Sequence, residues 1–440
     1  MINDTIVALS SVSTQAISVI RLSGEQAKTI ANQVLKKDIS KQKANTIIHN
    51  HVLENGKLID EVLVSFFKAP YSYTGQDVVE INIHGGRFIG NKIVTLLMEK
   101  TARLANPGEF TQRAYLNGKL DLTQAEAIND LILANTDYNA SKAIDGLSKS
   151  ISKMIEPLLE EILSIITNIE VNIDYPEYDD VADLSNNIIL PKVEKWQKDI
   201  ETIIDKSEKS LLLKQGILTV IIGEPNVGKS SLLNALLMEN RALVSDIAGT
   251  TRDYLEGEIV IDQLHLRLID TAGLHKSADN LEKMGMEKTQ QLIDKAHLVI
   301  LVLDASKEIS KQEKQLVKKL QDKQHIIVYN KKDLNPKLKK GIQISAINGD
   351  IESLLKEIKK RYDIDELRNT NTLLSQRQVG LMKQANVALI NALAILKHKR
   401  ELELVAIDLN EAYQSLCDIL GRYSRIDLLD SIFQNFCLGK

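Results

Sequence analysis

Apolar and polar positions along the chain change period several times, and each change marks an expected element. Val79, Ile81 and Ile83 alternate with Glu80, Asn82 and His84 before Gly85-Gly86, the period of a half-buried strand whose polar residues share one face. Near Asp121 the period becomes helical. Asp121 and Gln124 are spaced as a capping box, and Ile128, Leu131 and Ile132 begin an apolar stripe. A second stripe runs from Ile144 through Leu147, Ile151, Ile155, Leu159, Ile162 and Ile166 to Ile169, predicting a long helix that Pro157 kinks rather than ends. An acidic break at residues 174–183 precedes another helix around Val193 to Leu212. From about Leu373 the pattern is helical again, with Leu381, Ala385, Ala388, Leu389, Ala392 and Leu396 on one stripe.

Between these helical blocks lie four near-continuous apolar runs, residues 217–222, 266–270, 298–304 and 325–330. Each suits a parallel strand buried on both faces, and their alternation with helical segments predicts a doubly wound α/β domain. The expectation is a multidomain α/β plus α protein: an α+β domain over 1–118, a helical bundle split into 119–212 and 367–440, and an inserted Ras-like P-loop domain over 213–366.

Composition narrows the class only a little. The 440 residues are 44% apolar and 26% charged, ordinary globular usage. Lys and Arg number 55 against 59 Asp and Glu, a net charge of −4, which gives no bulk field for wrapping nucleic acid. Two cysteines, Cys417 and Cys437, lack metal-ligand spacing and support neither a disulfide scaffold nor a zinc site. The longest apolar run, Leu298 to Leu303, falls well short of the ~20 residues of a membrane helix. A cytoplasmic protein without a membrane partner is the expectation.

The chemistry is concentrated in the inserted segment. Gly223-Glu-Pro-Asn-Val-Gly228-Lys229-Ser230 follows a buried run and precedes a helical one, the context in which backbone N–H groups cradle phosphates, a lysine faces the β and γ groups and a serine ligates Mg²⁺. Asp270-Thr-Ala-Gly273 ends the next run. Asn330-Lys331-Lys332-Asp333 ends another and supplies a carboxylate for the guanine N1–H and amine, which adenine lacks. Ser345-Ala346 backs the base. These elements, in this order, resemble a translation-factor-type GTPase. Contacts to GTP are expected from Asn226, Val227, Gly228, Lys229, Ser230 and Ser231, from Ser245, Asp246, Ile247, Ala248, Gly249, Thr250 and Thr251, from Asp270, Thr271, Ala272 and Gly273, and from Asn330, Lys331, Asp333, Ser345 and Ala346.

Leu274 stands where Ras-like proteins carry the glutamine that orients water, and a hydrophobic side chain cannot do that. The segment Ser245-Asp246-Ile247-Ala248-Gly249-Thr250-Thr251 resembles switch I of potassium-dependent GTPases related to Era. That resemblance implies Thr251 with Ser230 on Mg²⁺, and a K⁺ held by Asn226 with Ser245, Ile247 and Thr250.

The tail Phe436-Cys437-Leu438-Gly439-Lys440 resembles the C-terminal signature of the MnmE (TrmE) family, GTPases of tRNA wobble-uridine modification. Asp4-Thr5-Ile6-Val7-Ala8, Val19-Ile20-Arg21-Leu22-Ser23-Gly24, Asn106-Pro107-Gly108-Glu109-Phe110-Thr111 and Asn117-Gly118-Lys119-Leu120-Asp121-Leu122 extend the likeness over essentially all of the chain. Membership would imply an N-terminal domain that dimerises and binds a 5,10-methylene- or 5-formyl-tetrahydrofolate through Arg21, Glu80, Lys119 and Lys440. It would also imply a functional thiol at Cys437, a water-orienting Glu282, and a partner, MnmG (GidA), that carries FAD and forms a heterotetramer or larger complex acting on carbon 5 of the tRNA wobble uridine. Ser10 to Gln15 departs from the Pro/Gly-rich loop of the family.

Blander readings stand beside these. Without the resemblance, Cys437, between Phe436 and Leu438, reads as a small core side chain, the reading that Cys417 keeps. Glu80, Arg21, Lys119 and Glu282 read as ordinary solvated charges. An Era-like ribosome-assembly or RNA-binding GTPase shares the nucleotide motifs but predicts a basic module that the chain lacks. A scaffold using GTP only as a cohesion switch leaves Cys437 dispensable.

Overall fold

A computed structural model describes residues 4–11, 16–174, 188–239, 257–270, 290–335, 341–362, 364–398 and 402–422, together with 429, 432–434, 436 and 439. The chain divides into two compact units: one of Met1–Leu133, Ile144–Gln197 and Gly380–Lys440, the other of Ala134–Ala143 and Lys198–Val379.

The first unit opens with β1 (Ile6–Leu9), β2 (Ile17–Ser23), helix α1 (Ala27–Asn32), β3 (Thr46–Glu54), β4 (Lys57–Phe67), β5 (Val78–His84), α2 (Arg87–Glu99), β6 (Arg103–Leu104) and α3 (Glu109–Leu116). The strands form one sheet in the order β3-β4-β5-β2-β1-β6. The alternation read at residues 79–84 holds: Val79, Ile81 and Ile83 are buried against α1 and α2, while His84 is exposed. Beyond β1, Ile6, Ala8, Ala105 and Phe110 make a second small core.

Arg113 of α3 is almost fully buried. It donates to the carboxylates of Asp4 (2.6 Å) and Glu109 (2.9 Å) and to the amide oxygen of Gln76 (3.1 Å), while Arg103 also holds Glu109. Burial pushes the Glu109 carboxyl up, but Arg103, the Asn106 amide and Arg113 together outweigh it and hold the group below its ordinary range. A depressed carboxyl stabilises the fold above its unfolded pKa, and that contribution is lost as acid protonates it.

Helices α4 (Leu122–Leu133), α5 (Asp137–Leu147) and α6 (Ser150–Asp174) follow. The capping box forms ahead of α4: Gln124 N–H donates to Asp121 Oδ1 (2.8 Å) and Asp121 N–H to Gln124 Oε1 (3.1 Å). The long helix expected from Ile144 is two helices, because the chain turns at Ser148-Lys149, where Lys149 takes a φ of 60°. Ile144 is exposed, while Ile151, Ile155, Leu159, Ile162, Ile166 and Ile169 keep the buried stripe, and α6 continues through Pro157.

Next come α7 (Leu190–Gln215), β7 (Ile217–Ile222), α8 (Lys229–Glu239), β8 (Gly257–Ile261), β9 (Leu264–Asp270), β10 (Leu298–Asp304), α9 (Lys311–Lys319), β11 (His325–Asn330), β12 (Ile342–Gln343), α10 (Glu352–Arg361) and α11 (Ile364–Arg368). The second sheet runs β12-β11-β10-β7-β9-β8. All its pairings are parallel except that of edge strand β8, which the apolar-run pattern had not revealed. Apolar clusters cover both faces, which accounts for strands that are hydrophobic at every position: β10 is buried from end to end.

Helices α12 (Gln376–Lys397) and α13 (Leu402–Leu420) close the chain, and α13 packs on α6 within the first unit. With a mean hydropathy of 1.5 over its apolar window, α12 has the length and composition of a membrane span, contrary to the reading that no segment approaches one. Its buried Met382, Ala385, Leu389, Ala392 and Leu396 recur at three- and four-residue spacing, the pattern of a helix with one core-facing side.

Candidate functional site

In the second unit the loop 223–228 joins the carboxyl end of β7, a central strand, to the first turn of α8, the position at which doubly wound sheets bind ligands. Asn226 takes a φ of 63° and Gly228 one of 97°, turning successive backbone N–H groups toward the helix N-terminus, where an anion is favoured. Lys229 is buried, its Nζ donating to the carbonyls of Gly223 (3.0 Å) and Glu224 (2.9 Å) of the same loop. Ser230 and Ser231 are exposed in the first turn.

Asn330 proves to be a brace. Its amide donates to the Val227 carbonyl (2.9 Å) and its oxygen accepts the Ala346 N–H (3.0 Å), so one buried side chain ties the phosphate loop to the Ser345-Ala346 turn. The bond explains Gly228 as well, since a Cβ there would sit 2.2 Å from the Asn330 nitrogen. The motif marks Asn330 as a site residue, but only the sheet, which pairs β11 beside β10 and β10 beside β7, brings it onto the loop. Asn330→Ala therefore orphans a buried N–H and a buried carbonyl, at about 2–4 kcal/mol for the two. We expect chemical denaturation to show that loss along with weakened nucleotide binding; an unchanged midpoint would deny the brace.

Asp333 is exposed, and its Oδ1 accepts the Ser345 hydroxyl (2.6 Å), which fixes the plane of the carboxylate. Lys331 sits in the left-handed region (φ 65°), and its ammonium lies 2.6 Å from Asp304 Oδ2 at the end of β10. Burial pushes the Asp304 carboxyl up, but Lys331 and the Ser306 hydroxyl and N–H outweigh it and hold it below its ordinary range. The sequence reading missed Asp304; the signal was its place as the polar end of a buried run opposite Asn330. Asp270 ends β9. Ser245 to Thr251, Thr271, Ala272, Gly273, Leu274 and Glu282 lie outside the described residues.

The first unit holds a separate cluster. Arg21 on β2 and Glu80 on β5 are register partners, and Glu80 Oε1 accepts from Arg21 Nε (2.9 Å) and Nη2 (2.8 Å). The guanidinium lies 5.5 Å from the Tyr73 ring centre and 5.7 Å from that of Phe110, while Nη1 donates to the Gly439 carbonyl at 3.4 Å. Glycine is required at 439: φ is 91°, and a Cβ would meet Ser10 Cα at 2.6 Å and the Leu9 carbonyl at 2.8 Å. Phe436 packs on Phe433, ring centres 5.0 Å apart, beside Gly108. Lys119 is exposed and donates to the Pro70 carbonyl (3.0 Å), so it joins the pair only through the loop that also carries Tyr73. Cys437 and Lys440 lie outside the described residues.

A cation–carboxylate pair with two aromatic faces is suited to a flat, polar ligand. Because Arg21 already neutralises Glu80, a ligand either takes the outer carboxylate oxygen or displaces the arginine. Tyr73 and Phe110 were not anticipated, since neither lies in a strand pattern that points to Arg21.

Comparison with known proteins draws both clusters into one family. The family model described as GTP-binding protein TrmE N-terminus matches residues 5–119, and that of the MnmE helical domain matches residues 122–437. The chain is 43% identical over 99% of both chains to the protein named tRNA modification GTPase MnmE of Acholeplasma laidlawii. It is 41% identical to that of Lacticaseibacillus paracasei, over 99% of this chain and 98% of the other, and 39% identical to that of Clostridioides difficile, over the whole of both. End-to-end identity at this level, with both family models matched in order, places the chain in the MnmE (TrmE) family.

Proposed function

We propose that this chain is a GTP-hydrolysing enzyme of tRNA modification. The observation that carries the reading is the assembly at one sheet end of the phosphate loop, Asn330, Asp333 and Ser345, in a chain alike over its full length to proteins named tRNA modification GTPase. The Era-type alternative is not favoured, because the likeness includes the segments on either side of the nucleotide domain.

In the finer reading, 213–366 is the GTPase domain, inserted between helical halves 119–212 and 367–440, and 1–118 is the dimerising, folate-binding domain. The exposed Ser230 hydroxyl, a hard oxygen donor beside the phosphate cradle, fits Mg²⁺, with Thr251 as its companion. Mg²⁺ would supply charge neutralisation between the phosphates. The exposed Asn226, held at positive φ, has an amide oxygen suited to K⁺, with Ser245, Ile247 and Thr250 completing the set. Lys229 then exchanges its loop carbonyls for phosphate oxygens. Glu282 orients the attacking water in place of the glutamine that Leu274 replaces.

Arg21, Glu80, Lys119 and Lys440 hold a tetrahydrofolate one-carbon donor, and Cys437 acts on it. With FAD-bearing MnmG, a homodimer of this chain adds an aminomethyl or carboxymethylaminomethyl group to carbon 5 of the wobble uridine, in the cytoplasm. Support comes from the Arg21–Glu80 pair, its aromatic frame and the seat of Gly439 against Arg21.

Nucleoside mass spectrometry of tRNA from cells deprived of the protein tests the reading. Loss of a carbon-5 group from wobble uridine, restored by this chain, supports it, and an intact nucleoside profile overturns it. The purified protein should hydrolyse GTP faster in K⁺ than in Na⁺ at matched ionic strength; equal rates would remove the ion from the mechanism.

A further inference from the structure

On the exposed side of the β3–β4 hairpin, at the edge of the first unit's sheet and apart from Arg21 and Glu80 in sequence register, two imidazoles and a carboxylate converge. His49 and His51 are two apart on β3, so both project to one face, and Glu61 of β4 is the register partner of His51. One donor atom from each lies within 4.8 Å of the others. The His49 and His51 rings meet edge to face with centres 5.2 Å apart, and His49 Nε2 is 2.5 Å from Glu61 Oε1. His51 Nδ1 is buried and has no hydrogen-bond partner among the described residues, so one ring nitrogen of this histidine is uncommitted. The β-bulge at Val52/Leu53, immediately beyond His51, is the kind of irregularity that re-aims side chains at a strand edge.

We infer that His49, His51 and Glu61 form a binding site for one divalent transition-metal ion, such as Zn²⁺ or Co²⁺, on this hairpin. Two imidazoles and a carboxylate are a borderline-soft set that suits these ions and disfavours Mg²⁺ and Ca²⁺, which take oxygen ligands. Tetrahedral bonds of about 2.0–2.2 Å place ligand atoms about 3.3 Å apart. The donors lie within 4.8 Å of one another, and half-exposed His49 and Glu61 have solvent-facing room to rotate toward that spacing. Three protein ligands leave a fourth position to water. Binding replaces the direct His49–Glu61 contact with bonds to the ion and ties edge strand β3 to β4. The metal thereby cross-links β3 to β4 at the end of the sheet, where the outer side of β3 is covered by residues 34–36 through the Leu35–Val52 bridge.

The test uses the untagged, full-length protein. Co²⁺ is titrated and followed by the visible absorption of the tetrahedral ion, Zn²⁺ is used to displace it, and thermal melting is followed with and without Zn²⁺. We expect one equivalent per chain and a melting midpoint raised by saturating Zn²⁺. His49→Ala and Glu61→Gln, at surface positions that leave folding and GTP hydrolysis unchanged, should each weaken Co²⁺ by about tenfold or more and abolish the Zn²⁺ shift. His51→Ala should do the same. The inference is overturned if wild-type protein gives no tetrahedral spectrum. It is equally overturned if the His49→Ala and Glu61→Gln proteins, folded by circular dichroism, bind Co²⁺ as wild type does. Sulfur-to-cobalt charge transfer in the near ultraviolet, lost in Cys437→Ser, would assign the ion to a thiol instead and likewise refute the hairpin site.

Discussion

Asp333→Asn should lower affinity for GTP by about a hundred- to ten-thousandfold while leaving the fold intact. Asp333 is exposed and its carboxylate is oriented by the Ser345 hydroxyl at 2.6 Å, so the substitution removes no core packing. A carboxylate accepts from both the N1–H and the exocyclic amine of guanine, and hydrogen bonds to a charged group are worth about 1.5–3 kcal/mol each. Asparagine presents an N–H to one of those donors, which turns an attraction into a repulsion. Xanthine carries a carbonyl where guanine has the amine, so the variant should recover binding to xanthosine triphosphate. Calorimetry with both nucleotides decides the matter: a folded variant with unaltered GTP affinity removes Asp333 from base recognition. Ser345→Ala should show the same trend at a smaller size, because it loosens the carboxylate without removing it.

Cys437→Ser should reduce tRNA modification to background while GTP hydrolysis stays within about twofold of wild type. The motive is the setting of its chain neighbours. Phe436 is seated on Phe433 and Gly108, and Gly439 lies against Leu9 and Ser10 with its carbonyl facing Arg21. In sequence Cys437 follows Phe436 directly and stands two residues before Gly439, whose carbonyl accepts from Arg21. A thiolate is a nucleophile that a serine hydroxyl does not replace at neutral pH, whereas a merely packed cysteine tolerates serine with modest loss. Reconstituted modification at the normal rate in the Cys437→Ser protein would return the thiol to a structural role. A parallel fall in GTP hydrolysis would point to misfolding instead.

Much of the fold could be read along the chain because its signals are local. The runs at 217–222, 298–304 and 325–330 became β7, β10 and β11 with the bounds the pattern suggested, since near-continuous apolar runs stand out sharply from their polar flanks. Asp121 and Gln124 capped α4 as their spacing required. Where the reading erred, a single residue's backbone decided the matter. Lys149 at φ 60° divides a helical stripe that periodicity alone joins, and edge strand β8 opens on Gly257-Glu258 and leaves only three consecutive apolar residues, too short a run to stand out.

What the sequence determined by itself is the chemistry on offer: a glycine-bounded loop ending in Lys229-Ser230 between a strand and a helix, a carboxylate at Asp333, and a cation and a carboxylate at Arg21 and Glu80. Those features depend on neighbours a few residues away, and the spacing of residues in a strand or helix transmits them directly. Only the tertiary structure decided what each group touches. Strand order β3-β4-β5-β2-β1-β6 sets Glu80 against Arg21, and the carbonyl of Gly439, 418 residues further on, accepts from that arginine. The same kind of long-range ordering turns Asn330 into a brace for Val227 and Ala346 and buries Arg113 among carboxylates, whereas the local β3–β4 hairpin gathers His49, His51 and Glu61 on one face. Such contacts arise from which strands lie side by side. That choice is made by the burial of whole faces at once, and no local period along the chain records it.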